Sequence, residues 1–335
     1  MPGKKALMLL SGGLDSTIVL GLLKQQGVEV EAVHFTSLFC TCGGKEGGCG
    51  TAMKAAKQLD VKLHVVRKGD DYIELIKKPA HGYGSNMNPC IDCRIYSFKK
   101  AREVMDKIGA SFIVTGEVLG QRPMSQRMDA MRLIEKEAGM EGLVVRPLSA
   151  QHLPESIPEK EGWVDRSKFL GISGRGRKEQ IKLAEELNIK DYPCPAGGCL
   201  LTDPGFAVRL KDLLAHNKEA SGRDLSLLKY GRRFRLSDDV LLLVGRNEGE
   251  NGILETLRTG NEVLMGVKDV PGPNSLLLGK LTAEDVLFAA SVTARFADVE
   301  DRSKPVKVWY KNGDGKEHAI EATCAEEKDY LAFRV

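Results

Sequence analysis

Ala6-Leu-Met-Leu-Leu10, Ser11-Gly-Gly-Leu-Asp-Ser16 and Thr17-Ile-Val-Leu-Gly-Leu-Leu-Lys24 follow one another without a break near the start of the chain. The first run is apolar and short and reads as a buried strand, and the third reads as a helix. Between them, Gly12 and Gly13 permit backbone dihedrals and close approaches that a side chain would block. The turn therefore offers free amide N–H groups and the positive end of a helix dipole, which together form an anion site, usually for phosphate. Ser11 and Ser16 add hydroxyl donors. Asp15 is out of place in a bare phosphate cradle and points to a bound Mg2+. The pattern is neither G-x-x-x-x-G-K-S/T nor G-x-G-x-x-G, so the kinase-type loop and the dinucleotide fingerprint are both poor readings.

With 335 residues the chain has room for two or three domains. Its 42% hydrophobic and 28% charged residues are those of a soluble globular protein. No apolar stretch reaches the ~20 residues of a membrane span, and the expectation is a cytoplasmic protein with no membrane partner. A net charge of +3 does not by itself demand nucleic acid. The eight cysteines fall at Cys40, Cys42 and Cys49, at Cys90 and Cys93, at Cys194 and Cys199, and at Cys324. In a reducing compartment such paired spacing speaks for metal ligands or reactive thiols rather than disulfides. Cys324, alone in a charged segment, reads as incidental.

Working outward, the sequence predicts a second strand over 28–35, a helix over 51–59 and a third strand over 62–66. A helix over 99–108 and a strand over 111–115 follow. Strands alternating with helices at this spacing give an α/β fold, a doubly wound parallel sheet, whose ligands bind beyond the carboxyl ends of the strands. That rim carries Ser11–Ser16, His34-Phe35 and Thr115-Gly-Glu117. A nucleotide there would place its phosphates on the first loop and its base near the second and fourth strand ends. His34 and Phe35 are its neighbours, although a histidine at a strand end is more often structural.

Cys40, Cys42 and Cys49 lie in a glycine-rich excursion that reads equally as three zinc ligands or as a surface loop with free thiols. In Asn86-Met-Asn-Pro-Cys90-Ile-Asp-Cys93-Arg94 the two thiols stand at a helix entrance, which favours thiolate. A redox disulfide, half of a zinc or iron–sulfur site, and a sulfur-carrying persulfide all fit. Asp191-Tyr-Pro-Cys194-Pro-Ala-Gly-Gly-Cys199 brings further thiols from a second glycine turn.

From Lys4 to Pro204 these motifs resemble one superfamily. Ser-Gly-Gly-Leu-Asp-Ser is similar to the loop of the PP-loop ATP pyrophosphatases, of adenine nucleotide alpha hydrolase-like fold, which split ATP into AMP and pyrophosphate. Asn88-Pro89 before a cysteine resembles the tRNA 2-thiouridylases. Thr115-Gly-Glu-Val-Leu-Gly-Gln121, Ser125-Gln126 and Arg146-Pro-Leu148 are similar to the tRNA 4-thiouridine synthetases. A C-x-x-C with one later cysteine resembles iron–sulfur-dependent thiolases, in which three cysteines hold a 4Fe-4S cluster and leave one iron open. The resemblance implies ATP and Mg2+ on Ser11, Gly12, Gly13, Asp15 and Ser16, with Thr115, Gly116 and Gln121 beside the nucleotide. It implies Cys90, Cys93 and Cys199 as metal ligands, with zinc the lesser reading and Cys194 competing with Cys199. Asp15, Cys93 and Cys199 are the expected catalytic residues. A uracil oxygen would be adenylated and then replaced by sulfur from the open iron or from a persulfide on Cys93 or Cys199.

Gly171-Ile-Ser-Gly-Arg-Gly-Arg-Lys178, before a helix over 180–187, suits RNA phosphates or a solvated helix start equally. From Phe206 onward the character changes to a smaller α+β domain. Its helices are expected over 209–217 and 284–296, and its strands over 240–245, 262–267, 274–278 and 307–310. Lys229-Tyr-Gly-Arg-Arg-Phe-Arg235 mixes bases with aromatics and is expected to contact phosphate and stack bases. Val-Gly-Arg246-Asn247, Asp269-Val-Pro-Gly272 and Val-Trp-Tyr310 resemble the NFACT-R RNA-binding module of ribosome quality-control proteins. The expected organisation is a thiolation domain over 1–204 and an RNA-binding domain over 205–335. The expected partners are tRNA and a sulfur donor, either sulfide or a persulfide-carrying protein, with a homodimer allowed for. Two alternatives stand beside this tRNA sulfurtransferase: ATP-dependent activation of a small molecule, as in amidotransferases or deazapurine synthases, and a quality-control factor that binds RNA without catalysis.

Overall fold

The computed structural model describes residues 4–40, 50–189, 192, 199–313 and 315–335. Cys42, Cys49, Cys194, Gly197 and Gly198 lie outside the described residues. The chain divides into two compact units, Met1–Asp203 and Pro204–Val335.

The first unit runs β1 (Ala6–Leu9), α1 (Leu14–Gln25), β2 (Val30–Thr36), α2 (Gly50–Gln58), β3 (Leu63–Arg67), α3 (Asp70–Lys77), α4 (Cys90–Ile108), β4 (Phe112–Thr115), α5 (Met128–Ala138), β5 (Val144–Val145), α6 (Ile157–Lys160) and α7 (Lys178–Glu186). Among the described residues its sheet has the order β3-β2-β1-β4-β5, and every pair is parallel. β1 is buried throughout because both sides of the sheet are covered. Ala6 and Met8 point into a core shared with Ile18 and Leu20 of α1, while Leu7 and Leu9 meet Phe98 and Ala101 of α4. Strand order reverses between β1 and β4, so the crevice at their carboxyl ends is the switch point where such sheets bind ligands.

The second unit runs α8 (Pro204–His216), α9 (Gly222–Leu227), β6 (Arg232–Arg235), β7 (Val240–Val244), α10 (Glu248–Leu257), β8 (Val263–Val267), β9 (Asn274–Gly279), α11 (Ala283–Arg295), β10 (Val306–Lys311), β11 (Glu317–Ala322) and α12 (Glu327–Leu331). Its sheet is antiparallel, ordered β11-β10-β8-β9-β7-β6 among the described residues. β7 is apolar at every position because Leu242 and Val244 face the α11 side while Leu241 and Leu243 pack with Leu254 of α10.

The basic–aromatic segment before β7 departs from its expected role. Phe234 is buried in β6, where it meets Tyr330 edge-on at 5.6 Å and Phe296 at 6.1 Å, so it stacks on no base. Arg233 is buried as well, and Arg235 is tied to Asp212 by two hydrogen bonds of 3.1 and 2.7 Å. Arg233 and Phe234 point to opposite faces of β6, and both faces are covered there, which composition alone does not reveal.

Candidate active site

Gly12 holds φ +76°, and a Cβ there would lie 2.4 Å from the Ala52 nitrogen. The loop after β1 is therefore pressed against the first turn of α2, so the N-termini of α1 and α2 both reach it. Within it, Ser11 Oγ and Ser16 Oγ lie 3.0 Å apart, Gly13 N–H donates to Ser11 Oγ at 3.3 Å, and Ser16 Oγ donates to the Gly13 carbonyl at 3.0 Å. Gln121 Nε2 donates to Asp15 Oδ2 at 3.1 Å, while Asp15 Oδ1 is buried and has no hydrogen-bond partner. An orphaned carboxylate oxygen beside two helix N-termini fits a divalent cation that would accompany a bound polyphosphate.

The β4 rim closes on this loop. A Cβ on Gly116 would fall 2.7 Å from the Ser16 nitrogen, so glycine is needed for the two backbones to touch. His34 is buried at the end of β2, and its Nδ1 donates to the Leu10 carbonyl at 2.8 Å. That bond holds the residue just before the loop and leaves Nε2 as an unpaired acceptor. Phe35, half-buried beside it, lies under Lys68, whose Nζ is 5.9 Å from the ring centroid.

Cys90 and Cys93 stand in the first turn of α4. Lys68 Nζ and the Tyr72 hydroxyl each donate to Cys93 Sγ at 3.1 Å. Burial by itself would raise the Cys93 thiol, but Lys68, helped by Tyr72 and Arg94, outweighs it and holds the thiol below its ordinary value. Cys90 is pushed the other way by burial and the neighbouring Cys93 charge. Cys199 is pushed up to about 11 by burial, with the Cys93, Cys90 and Cys40 charges adding to it. A single antiparallel bridge sets Cys199 opposite Cys40, and Leu200 N–H donates to the Phe39 carbonyl at 2.9 Å. The helix entrance thus favours thiolate at one of its two cysteines. Among the described residues, no three His, Cys, Asp or Glu side chains converge closely enough to hold a metal ion.

A buried ion-pair network joins the thiols to the β4 rim. Arg94 Nε, one residue past Cys93, is 2.9 Å from Glu117 Oε1, and Arg146 Nε donates to Glu117 Oε2 at 3.0 Å. Arg146 also bonds Glu135, and Thr115 Oγ1 donates to Glu117 Oε2 at 3.2 Å. Burial would raise the Glu117 carboxyl, yet Arg94 and Arg146 keep it below the usual carboxylate range. Lys68, Tyr72 and the pairing of Glu117 with Arg94 were not anticipated from sequence. Lys68 directly follows β3, so the rule that strand ends line the site would have found it.

A glycine loop at the switch point of a parallel sheet, with a thiol of lowered pKa on the neighbouring helix, is the arrangement of an α/β domain of PP-loop type. Residues 2–155 match the family described as thiamine biosynthesis protein (ThiI), and residues 231–334 match that described as NFACT protein RNA binding domain. The chain is thus similar over residues 2–155 to ThiI-type PP-loop proteins and over residues 231–334 to NFACT-type RNA-binding domains. The tRNA-specific 2-thiouridylase MnmA of Sulfurimonas denitrificans is 37% identical over 120 residues, covering 35% of this chain and 35% of that protein. A probable tRNA sulfurtransferase of Thermoanaerobacter sp. (strain X514) is 32% identical over 155 residues, 46% of this chain and 39% of that protein. The chain therefore spans little more than a third of these relatives. A 4-thiouridine synthetase solved with RNA and ATP aligns at 22% identity over 68% of this chain and 52% of its own, with a TM-score of 0.39.

Proposed function

We propose that this protein is a tRNA uridine sulfurtransferase. Its Met1–Asp203 unit would adenylate a uridine carbonyl oxygen and replace it with sulfur, and its Pro204–Val335 unit would bind tRNA. The observation that carries this reading is Cys93 Sγ held by Lys68 and Tyr72 and linked through Arg94 and Glu117 to the rim packed on the Ser11–Ser16 loop. Both halves of a sulfur-for-oxygen exchange then share one crevice.

Ser11, Gly12, Gly13 and Ser16 would bind the ATP phosphates, with Thr115, Gly116 and Gln121 beside the nucleotide. Asp15 would hold Mg2+ through its free Oδ1. Attack of the uridine oxygen on the α-phosphorus releases pyrophosphate and makes AMP a good leaving group. The terminal sulfur of a persulfide on Cys93 then attacks the carbon and expels AMP. Cys199 then attacks Cys93 Sγ, the sulfur–sulfur bond to the base breaks so that thiouridine leaves, and an external thiol reductant reopens the resulting Cys93–Cys199 disulfide. A 4Fe-4S cluster would draw on Cys90, Cys93 and Cys199. Because three thiols do not converge among the described residues, no step is assigned to one. An anaerobic visible spectrum with iron and sulfide counts distinguishes a cluster from persulfide.

Pyrophosphate release tests the reading directly. It should require tRNA and ATP together, and digested tRNA from a reaction supplied with a persulfide sulfur donor and a thiol reductant should contain thiouridine. Pyrophosphate release with a small molecule and no tRNA would overturn it.

A further inference from the structure

The second unit buries an arginine without a counterion. Arg233 on β6 is 2% exposed, its Nη1 donates only to the Leu227 carbonyl at 3.3 Å, and its Nε has no partner. No carboxylate forms an ion pair with it among the described residues. Asp212, whose charge acts on Arg233, is itself paired with Arg235 at 2.7 Å. Taking a guanidinium out of water without an anion is costly, and folded chains rarely leave it so. Burial also pulls Arg233 down to about 10, as expected of a cation whose partner is missing.

Arg233 lines a cavity of about 270 Å3, just below the ~300–1,000 Å3 usual for small-molecule pockets. Leu213, Leu241 and Leu278 form apolar walls, and Asp238 and Asp239 line it beside Arg233. Both aspartates are exposed, and Asp238 is 3.5 Å from His216. A ligand for such a site needs an anionic head for Arg233, a body small enough for the leucine walls, and a cationic group for the aspartates. A phosphate dianion would meet the carboxylates as like charges.

We infer that this cavity is a binding site for a free aliphatic α-amino acid, with its carboxylate on Arg233 and its ammonium toward Asp238 and Asp239. Guanidinium and carboxylate match as a two-bond fork, the geometry that favours arginine over lysine for this task. The site lies within the RNA-binding unit and is independent of the thiolation chemistry proposed for the other.

Calorimetric titration of the full chain with L-leucine, glycine, acetate, methylamine and inorganic phosphate tests this. L-leucine should bind at least tenfold more tightly than acetate or methylamine, and phosphate should not compete with it. Arg233→Met should abolish L-leucine binding. It should also melt no lower than the parent in buffer, because it removes an unpaired buried charge. Asp239→Asn should weaken L-leucine several-fold and leave acetate unchanged. Absence of L-leucine binding, phosphate binding as tightly as L-leucine, or Arg233→Met retaining the affinity would each overturn the assignment.

Discussion

The chemistry of the first unit comes down to which of several similar side chains is in which charge state. Cys90 and Cys93 share a helix turn, yet the ammonium of Lys68 reaches Cys93 at 3.1 Å, while Cys90 is raised by burial and by its neighbour's charge. Lys68→Met should therefore slow iodoacetamide alkylation of Cys93 at pH 7 about tenfold and move its pH profile upward, read peptide by peptide by mass spectrometry. Tyr72→Phe should do the same to a smaller extent. Asp15→Asn should lower tRNA-dependent pyrophosphate release by about 100-fold or more at unchanged melting temperature, because only the cation position is lost. Glu117→Gln removes the anion shared by Arg94 and Arg146, and Arg146 is itself buried. Its expected cost is about 3–5 kcal/mol in urea unfolding.

At the level of elements, the crevice is made by backbones that touch. Gly116→Ala puts a methyl 2.7 Å from the Ser16 nitrogen and should weaken ATP binding at least tenfold by parting the two loops, measurable by equilibrium dialysis. The sheet edge carries a pH-dependent clasp. Glu31 on β2 bonds His64 on β3 at 2.6 Å and Lys5 ahead of β1 at 3.1 Å. The His64 bond above all, then Lys5 and Lys62, lowers its carboxyl from 4.5 to about 2. A depressed carboxylate stabilises the fold above its unfolded value, so this contribution is present at pH 7 and fades as pH falls from 4.5 toward 2. Glu31→Gln should cost about 1 kcal/mol at neutral pH after solvent screening and flatten that part of the acid unfolding curve. The main strands and helices of the sheet were legible because their apolar runs are long or sharply bounded. α3 and α5 were missed although both are amphipathic, with Tyr72, Ile73 and Ile76 buried on α3 and Ala130, Met131, Ile134 and Ala138 buried on α5. β5, with two residues, has no period to read.

For the whole molecule, the two units invite separate tests. Residues 1–203 expressed alone should bind ATP as the full chain does but lose at least tenfold in tRNA affinity by filter binding if the second unit recognises RNA. The sequence by itself determined the parallel sheet, the glycine loop, the pair Cys90 and Cys93, and the change of character after residue 204. All of these are local signals: a chain-neighbour pattern that sterics, strand alternation or helix dipoles convert directly into structure. Only the tertiary structure decided which cysteine is favoured as thiolate, because its cation and hydroxyl come from 25 and 21 residues away. It also decided that Arg233 and Phe234 are both buried, because the burial of a strand face is set by what packs against it. And it turned the loop at Ser11–Ser16 from a phosphate cradle into one wall of a crevice, since Gly116 reaches it only when β4 lies beside β1.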